Sequence, residues 1–420
     1  MNLPNTEINN LRRKFPSLNK EYNGKQLIYF DNACSLLKPE SVIKAVNYYY
    51  SDLGSCAGTR SSHALSSKVN ELCENARELT KDFINASLPS EIIWTKNTTE
   101  SINFIANSLN FNKNDEIITT SHEHHSNLLP FYFLKQKGVK LKIIDVVFED
   151  DKYLDDIKES ITKNTKLITL THASNVTGDI LDIENVCKTA HDNNILVLSD
   201  EAQFIVHDKL DVKKTNVDFC AFSSTKLGGP TGLGILHVKH NLLDEIKPLS
   251  YGGGIVFDVG YKNGSINPIF LKPPQKFEAG LQHYAGIIGF GEAIKFYNEN
   301  KIYEFSEYCS YILKHTYKSL SDLNIKILGE KTSRKKSPIV SFELPKNVSH
   351  KDFEMFINEN KDYIFAFRTG THCASPLHYR NQVNISKGEG SVRLSFFVYN
   401  QKQEIDLFIE QLNNFLEKIR

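Results

Sequence analysis

The chain has 420 residues, in which 50 Lys and Arg balance 50 Asp and Glu. Its length exceeds what one hydrophobic core usually supports, so we expect a large buried core divided between two domains. The absence of net charge gives no global field for nucleic acid or an anionic membrane, and neither is expected as a partner.

The first segment, MNLPNTEINNLRRKFPSLNK, is polar and lacks the apolar stretch of a secretory signal. No later segment is apolar over the length needed to cross a bilayer. Seven cysteines, an odd number without a CxxC pair, argue against a disulfide framework and against a zinc site. The sequence therefore predicts a soluble cytoplasmic protein without a metal.

From about residue 91, short β-rich runs alternate with helical stretches. In chain order, EIIWT precedes a helix over residues 98–109, DEIITT precedes HSNLLPFYFLKQKG, VKLKIIDVV precedes LDDIKESI, TKLITLTH precedes IENVCKTAHDNN, and ILVLSD, VDFCAF and GILHV follow. This alternation predicts βαβ units on a mostly parallel sheet that is buried on both faces.

A second region follows the Gly- and Pro-rich stretch YGGGIVFDVGYKNGSINPIFLKPPQ. It begins with a helical region over about 285–320, continues with strands in NIKIL, PIVSFEL, YIFAFR and SVRLSFFV, and has helices over 351–359 and 402–415. We expect an N-terminal segment (1–30) that packs on the small domain, a large α/β domain (31–285) and a small α+β C-terminal domain (286–420).

Polar residues follow the ends of the predicted strands, where ligands bind in open α/β sheets. They lie in NTTES (97–101), SHEHHSN (121–127), THASN (171–175), SDEAQ (199–203) and SSTK (223–226). Hydroxyls, histidines, an amide and an acid therefore share one edge. This edge is the candidate site.

Lys226 lies in SSTKLGGPTGLGIL, where the glycines follow the lysine. A phosphate-binding P-loop needs its glycines before the Lys and a Ser or Thr directly after it, so a nucleotide site is disfavoured. An isolated lysine is usually exposed to solvent. A pyridoxal phosphate (PLP) site, however, needs a Schiff-base lysine, an acid for the pyridine nitrogen and donors for the phosphate. Asp200, at the end of ILVLSD, suits the pyridinium and favours this interpretation.

The ordered set of motifs resembles the class V aminotransferase family of PLP enzymes, and most closely its group II cysteine desulfurases and selenocysteine lyases. The motifs are YFDNA, NTTES, EHHSN, THASNVTG, SDEAQFIVH, SSTKLGGPTG, FEAG and RTGTHCASPL. The resemblance implies the type I fold of PLP-dependent transferases, with a mostly parallel sheet of the seven-stranded type in the large domain. It also implies a homodimer with active sites near the interface.

The resemblance assigns the cofactor contacts residue by residue. Lys226 forms the Schiff base, Asp200 pairs with the pyridine nitrogen, and Gln203 binds the ring hydroxyl. His124 stacks on the ring and moves protons. The phosphate is held at a helix N-terminus, which favours anions, by hydroxyl-bearing residues: Thr98, Thr99, Ser223 and Thr225.

The same resemblance assigns the substrate site. Asn175 and Arg393 hold the substrate carboxylate, with Arg368 nearby, since an arginine fork suits a carboxylate. Cys373 takes the sulfur of L-cysteine as an enzyme persulfide, and L-alanine leaves. Taken alone a cysteine is more often a buried apolar residue, but positive charge from Arg368 and His372 favours the thiolate. A protein or thiol acceptor then removes the sulfur, for uses such as iron–sulfur cluster assembly.

Several positions depart from the family pattern. Thr225 stands where relatives have His, Thr371 replaces a His of RTGHHCA, Leu281 follows FEAG where relatives have Thr, and Glu201 replaces a small residue. These departures leave other reactions open: selenocysteine lysis, cleavage of a larger thio compound, and transamination or epimerisation. An inactive scaffold that binds a sulfur-transfer partner is disfavoured by the joint presence of Lys226, Asp200 and Cys373.

Overall fold

The fold is described from a computed structural model of the chain. The structure describes residues 5–58, 61–146, 152–330, 334–345, 348–383 and 390–419. The helices are α1 (Asn5–Arg13), α2 (Glu40–Tyr48), α3 (Ala64–Phe83), α4 (Thr98–Ser108), α5 (His125–Phe133), α6 (Tyr153–Ser160), α7 (Ile183–His191), α8 (Phe204–His207), α9 (Val212–Thr215), α10 (Tyr284–Glu299), α11 (Ser306–Asp322), α12 (His350–Asn358), α13 (Ser375–Arg380) and α14 (Lys402–Ile419).

The strands run in the same chain order. They are β1 (Glu21–Tyr22), β2 (Lys25–Tyr29), β3 (Ile92–Thr95), β4 (Glu116–Thr120), β5 (Lys140–Ile144), β6 (Thr165–Thr171), β7 (Leu196–Asp200), β8 (Phe219–Ser223), β9 (Gly234–Val238), β10 (Val256–Lys262), β11 (Ser265–Phe270), β12 (Ile339–Phe342), β13 (Tyr363–Ala366), β14 (Arg368–Gly370) and β15 (Ser391–Ser395).

The main sheet, within the described residues, has seven strands in the order β3-β9-β8-β7-β6-β4-β5. Strands β4 to β8 pair in parallel, and β9 is antiparallel to both of its neighbours. Every residue of β4, β8 and β9 is buried, because helices cover both faces of the sheet. The α/β class and the mostly parallel sheet predicted from the sequence are confirmed.

Among the described residues there are four hydrophobic clusters, of which two position the site. The larger lies between the sheet and the helices α2, α3 and α10, and includes Ile118, Leu170, Val197, Phe222 and Phe290. Complete burial of side chains of this size contributes about 1.5–3 kcal/mol each. This core fixes the sheet whose carboxyl edge carries the site.

The smaller core joins the two ends of the chain. It includes Phe342 of β12, Phe353 of α12 and Phe408 of α14, together with Ile28 and Phe30 near the N-terminus. Strand β2 pairs in parallel with β13, which brings residue 29 level with residue 366. The segment after β2 is thereby placed beside β14, and this pairing has a direct effect on the site.

The helical region predicted over about 285–320 consists of two helices, α10 and α11, which are separated at Lys301, whose φ is a left-handed 49°. Two other parts of the chain differ from the prediction. NIKIL forms an isolated bridge from Ile327 to Phe342 instead of a strand. The Gly- and Pro-rich stretch contains the hairpin β10–β11, whose turn carries Asn263 and Gly264 at positive φ. Asn-Gly is the common sequence signal of such a turn.

Candidate active site

A cavity of about 240 Å3 lies at the carboxyl ends of the parallel strands. The loops after β3, β4, β6, β7 and β8 reach it because parallel strands all end at the same sheet edge. Its lining includes most of the site residues predicted from the sequence: Thr98, Thr99, His124, Asn175, Asp200, Gln203, Ser223, Lys226, Arg368, Cys373 and Arg393.

The N-terminus of α4 forms one end of the cavity. Asn97 caps the helix by accepting a hydrogen bond from the Glu100 amide at 2.8 Å. Thr98 donates its backbone N–H to Ser223 Oγ at 2.8 Å, and the two hydroxyls lie 2.6 Å apart. Backbone amides, hydroxyls and the positive end of the helix dipole are thus gathered in one place. This end suits a phosphate group.

Lys226 is half-buried in the turn after β8, where its ammonium group donates to the carbonyl of Ala33. Burial, and secondarily the charge of Arg393, lower the pKa of Lys226 to about 8. A lysine with such a pKa supplies much more neutral amine near neutral pH than an exposed lysine does. It is therefore prepared to react with an aldehyde.

Asp200 ends β7 and is almost completely buried. Burial raises the pKa of Asp200 to about 6, although the Ala202 amide, 3.0 Å from Oδ1, favours the charged form. A buried carboxyl group of this kind gains from a cationic partner. The protonated nitrogen of a pyridine ring is such a partner, so the residues of this cavity fit PLP.

His124 and Gln203 also line the cavity. Burial lowers the pKa of His124 to about 4, and its Nδ1 accepts a hydrogen bond from the Ser126 amide at 3.0 Å. The ring is therefore neutral near pH 7, as suits stacking on an aromatic cofactor. The Gln203 amide donates to the Ala33 carbonyl at 2.8 Å, which anchors it close to Lys226.

Two arginines and one acid form a charged cluster beside Lys226. Asp31 accepts hydrogen bonds from Arg368 Nη2 at 2.7 Å and from Arg393 Nη2 at 3.2 Å. Arg393 also donates to the Asn175 carbonyl at 3.1 Å, and its buried Nε has no hydrogen-bond partner among the described residues. One acid for two guanidinium groups leaves positive charge to attract a carboxylate.

The loop with Cys373 closes the other side of the cavity. His372 and Cys373 both have left-handed φ angles, 51° and 57°, which non-glycine residues seldom adopt. Two hydrogen bonds hold this backbone: Asn175 Nδ2 donates to the His372 carbonyl at 2.8 Å, and the His125 amide donates to the Cys373 carbonyl at 2.7 Å. The Cys373 side chain remains exposed at the cavity.

Thr225 is outside the cavity lining, in contrast to the other predicted site residues. Its hydroxyl lies 2.8 Å from Ser35 Oγ and accepts from Lys38 Nζ at 3.0 Å. The phosphate contact proposed for this hydroxyl would require it to leave these partners. Burial, followed by the charge of Lys226, lowers the pKa of Lys38 to about 8.

The structure explains the unusual Glu201. Its carboxylate accepts a hydrogen bond from Ser199 Oγ at 2.6 Å and lies 2.7 Å from His172 Nδ1. The His172 ring stacks on Phe204 with the centroids 3.4 Å apart. Glu201 is thus a paired buried acid beneath the site, and it does not line the cavity.

Sequence reasoning missed Asp31 and Cys34. Both belong to the segment after β2, and Cys34 lines the cavity, with its sulfur 2.9 Å from Arg368 Nη2. The signal for Asp31 was a polar residue directly after a strand end, within the motif YFDNA. The pairing of β2 with β13, which carries both residues to the site, has no local signal in the sequence.

A lysine of lowered pKa, a buried acid and a helix end suited to an anion, at the carboxyl edge of such a sheet, define a PLP-dependent enzyme. The chain belongs to the aminotransferase class-V family, whose model matches residues 28–408.

Similar curated proteins carry consistent names. A probable cysteine desulfurase of Borreliella burgdorferi is 35% identical over 97% of this chain and 96% of its own length. One of Pyrococcus abyssi is 36% identical over 94% of this chain and 96% of its length. A cysteine desulfurase of Yersinia pseudotuberculosis is 33% identical, with 98% of each chain covered.

Solved structures agree with these sequence relatives. The apo cysteine desulfurase of Thermococcus onnurineus superposes with a TM-score of 0.88 at 31% identity, and 98% of each chain is covered. The cysteine desulfurase CsdA of Escherichia coli, in an S-sulfonic acid form, gives 0.84 at 30% identity with the same coverage. Among the described residues of this chain, no helix is both long enough and apolar enough to traverse a bilayer.

Proposed function

We propose that this protein is a PLP-dependent cysteine desulfurase, which converts L-cysteine to L-alanine and retains the sulfur as a persulfide on Cys373. The observation that carries the proposal is that Lys226, Asp200 and Cys373 line one cavity. A transaminase needs the first two residues but has no use for a thiol at that position. The names of the relatives described above support the same activity.

PLP, when bound, supplies an electron sink for negative charge at the substrate α-carbon. Lys226 would hold the cofactor through its aldehyde group, and its neutral amine, once free, would take the substrate α-proton as a general base. Asp200 would keep a proton on the ring nitrogen. Ser223, Thr98 and Thr99 would hold the phosphate at the start of α4, and Thr225 stays a further candidate for that contact.

The substrate is held through its carboxylate by Arg393 and Asn175, with Arg368 beside them. The Cys373 thiolate attacks the sulfur of bound cysteine. The carbon–sulfur bond breaks, its electron pair goes to the carbon side, and a sulfur–sulfur bond forms on Cys373. His124, neutral and partly buried, would relay a proton to the product by taking one up as it gives one.

Sulfur transfer, assembly and location complete the proposal. Cys373 is exposed, so a protein or small-thiol acceptor can reach its persulfide. A second copy of the chain would cover the apolar hairpin β10–β11, which makes a homodimer the expected assembly. All seven cysteines are free within the described structure, as suits the reducing cytoplasm.

The division into domains is part of the same proposal. The small C-terminal domain (286–420) is supported by its own core from α11 onward, to which Ile8 and Ile28 of segment 1–30 contribute, whereas Phe290 of α10 packs in the larger core. Leu11 and Phe15 of that segment pack instead in the larger core, so segment 1–30 contacts both domains. The large domain (31–285) contains the main sheet.

Single-turnover chemistry tests the proposed activity. The PLP-loaded protein is mixed with L-cysteine, and alanine and protein-bound persulfide are measured together. We expect equal amounts of the two. Cys373→Ser removes the persulfide, and Lys226→Ala lowers alanine formation by at least about a hundredfold, as expected for loss of a general base.

Cys56→Ser is the matched control, because Cys56 is also exposed but does not line this cavity. It should leave both products unchanged. Pyruvate with free sulfide would instead indicate a simple carbon–sulfur lyase, and transamination without persulfide would indicate an aminotransferase. Faster turnover of selenocysteine than of cysteine would identify a selenocysteine lyase.

A further inference from the structure

The cavity contains a second thiol in addition to Cys373. Cys34 lies in the segment after β2 and is partly buried. The residue before it, Ala33, accepts hydrogen bonds through its carbonyl from both Lys226 and Gln203. Cys34 is therefore held directly beside the residues that bind the cofactor and substrate.

Arg368 contacts the first of the two thiols and precedes the second in the chain. Its Nη2 donates a hydrogen bond to Cys34 Sγ at 2.9 Å, and its Nε and Nη2 both donate to the carboxylate of Asp31. Arg368 begins β14, and the chain runs from this strand directly into the loop that carries Cys373. A single guanidinium group thus contacts one thiol and lies five residues before the other along the chain.

The other cysteines of the described structure are placed differently. Cys73, Cys187, Cys220 and Cys309 are buried in the cores, and burial raises the pKa of each, which makes the reactive thiolate scarce. Cys56 is exposed but lines a different cavity. Cys34 and Cys373 are the cysteines that face the cavity with Lys226.

We propose that Cys34 is a second sulfur-carrying thiol, which takes the outer sulfur of the Cys373 persulfide before an external acceptor removes it. The inference rests on the proposed desulfurase function, since that reaction loads Cys373. Sulfur on Cys34 is less exposed than sulfur on Cys373. Movement to Cys34 would shelter it from solvent thiols and free Cys373 for a second turnover.

The transfer is an exchange without net oxidation. The Cys34 thiolate attacks the outer sulfur of the persulfide, a new sulfur–sulfur bond forms on Cys34, and the bond on Cys373 breaks. Cys373 leaves as a thiolate and takes up the proton that Cys34 lost. Neither an oxidant nor a reductant is needed.

Peptide mapping distinguishes the possibilities. The PLP-loaded protein is mixed with excess L-cysteine and quenched with iodoacetamide at successive times, and sulfur is located by mass spectrometry. We expect extra sulfur on the Cys373 peptide first and on the Cys34 peptide later. Cys373→Ser should remove it from both peptides, and Cys34→Ser should lower protein-bound sulfur by about half. Cys56→Ser should leave the two-site pattern intact.

Three other results would each contradict a specific part of the proposal. Sulfur on Cys373 alone in the unaltered protein would overturn the transfer, and Cys34 would then serve only to position Arg368. Sulfur on Cys34 in the Cys373→Ser protein would also overturn it, because Cys34 would then take sulfur directly from the substrate. Sulfur on neither peptide, with no alanine formed, would refute the proposed function itself. The absorbance of bound PLP in each variant shows that the site has folded.

Discussion

Burial shifts the pKa values of single residues in this site, and neighbouring charges offset these shifts only in part. Lys226 is half-buried and Asp200 almost completely buried, and their pKa values move towards each other, to about 8 and about 6. The shift brings Lys226 closer to the pH at which it takes a proton in the reaction, and it makes the Asp200 carboxylate favour a cationic partner. The same burial keeps His124 neutral.

The pKa of Lys226 sets a pH dependence for cofactor capture. Only the neutral amine attacks an aldehyde, and the neutral fraction rises about tenfold per pH unit below the pKa. Capture of PLP by the apoprotein should therefore accelerate up to about pH 8 and level off above it. The rate of appearance of a borohydride-reducible linkage, measured from pH 6 to pH 10, checks this.

Lys226→Ala supplies the baseline for that experiment, because it should give no reducible linkage at the site at any pH. A rate that kept rising well beyond pH 9 would show an ordinary exposed lysine and contradict the burial on which the expectation rests.

For single residues, the sequence predicted which residues belong to the site better than it predicted the partners that they contact. Asp200, Ser223 and Lys226 follow strand ends, and strand ends are visible in hydrophobic patterns, so these residues were predictable. Thr225 has the same local signal, but its hydroxyl contacts Ser35 because of a tertiary contact between distant segments. Asp31 accepts a hydrogen bond from Arg368, which is 337 residues away in the sequence. A contact between such distant residues produces no periodic pattern in the sequence.

The elements of the site depend on close backbone approach as well as on side chains. Gly234, the first residue of β9, lies against the turn that begins α4. A Cβ atom on Gly234 would lie 2.6 Å from Asn97 Cα and 2.5 Å from Thr95 Oγ1. No side chain fits there unless the turn moves. The glycine therefore helps to fix the helix end that we assign to the phosphate.

Gly234→Ala tests this close approach. Displacement of the Asn97 turn should lower the free energy of unfolding by about 1–3 kcal/mol, the usual cost of overpacking. It should also weaken PLP binding, because the amides of α4 move with the turn. Chemical denaturation of the apoprotein and PLP titration measure the two effects separately.

Gly252→Ala is the matched substitution, since a Cβ there meets no atom within 4 Å. It should change neither quantity appreciably. If Gly234→Ala also changed neither the free energy of unfolding nor PLP binding, the close approach of β9 to α4 would have no role in shaping the phosphate site.

Elements were predictable where patterns were long and uniform. The buried strands β6, β7 and β8 and the helix α4 were found because apolar runs and strand–helix alternation are strong signals. The hairpin β10–β11 was missed, although its Asn263–Gly264 turn carries a common signal. Its strands face solvent, and exposed strands lack the alternation between buried and polar positions on which prediction depends.

At the scale of the whole molecule, the hairpin β10–β11 is a large apolar feature that the described part of the chain does not cover. On the hairpin β10–β11, Phe257, Tyr261 and Ile266 are 77%, 76% and 69% exposed. Tyr261 pairs with Ile266 across the two strands, so both lie on one face of the hairpin. Leu281, which follows FEAG, is 74% exposed as well. Monomeric proteins seldom leave such residues together in solvent.

A second copy of the chain is the expected cover, because most soluble oligomers are symmetric assemblies of identical chains. The protein should therefore have the mass of a dimer in light scattering at micromolar concentration. Ile266→Glu places a charge on the buried face of that interface and should shift the mass towards the monomer. Because Ile266 is solvent-exposed within one chain, the substitution should leave the fold of the monomer intact.

Met355→Glu provides the comparison, since Met355 is an apolar residue on α12 that is 58% exposed and lies outside the hairpin. The dimer mass should survive this change. A protein that is monomeric before any substitution, or a dimer that Ile266→Glu leaves intact, would show that the hairpin is not the interface. Loss of the dimer in Ile266→Glu, with the monomer still folded, would instead place the contact between subunits on the hairpin.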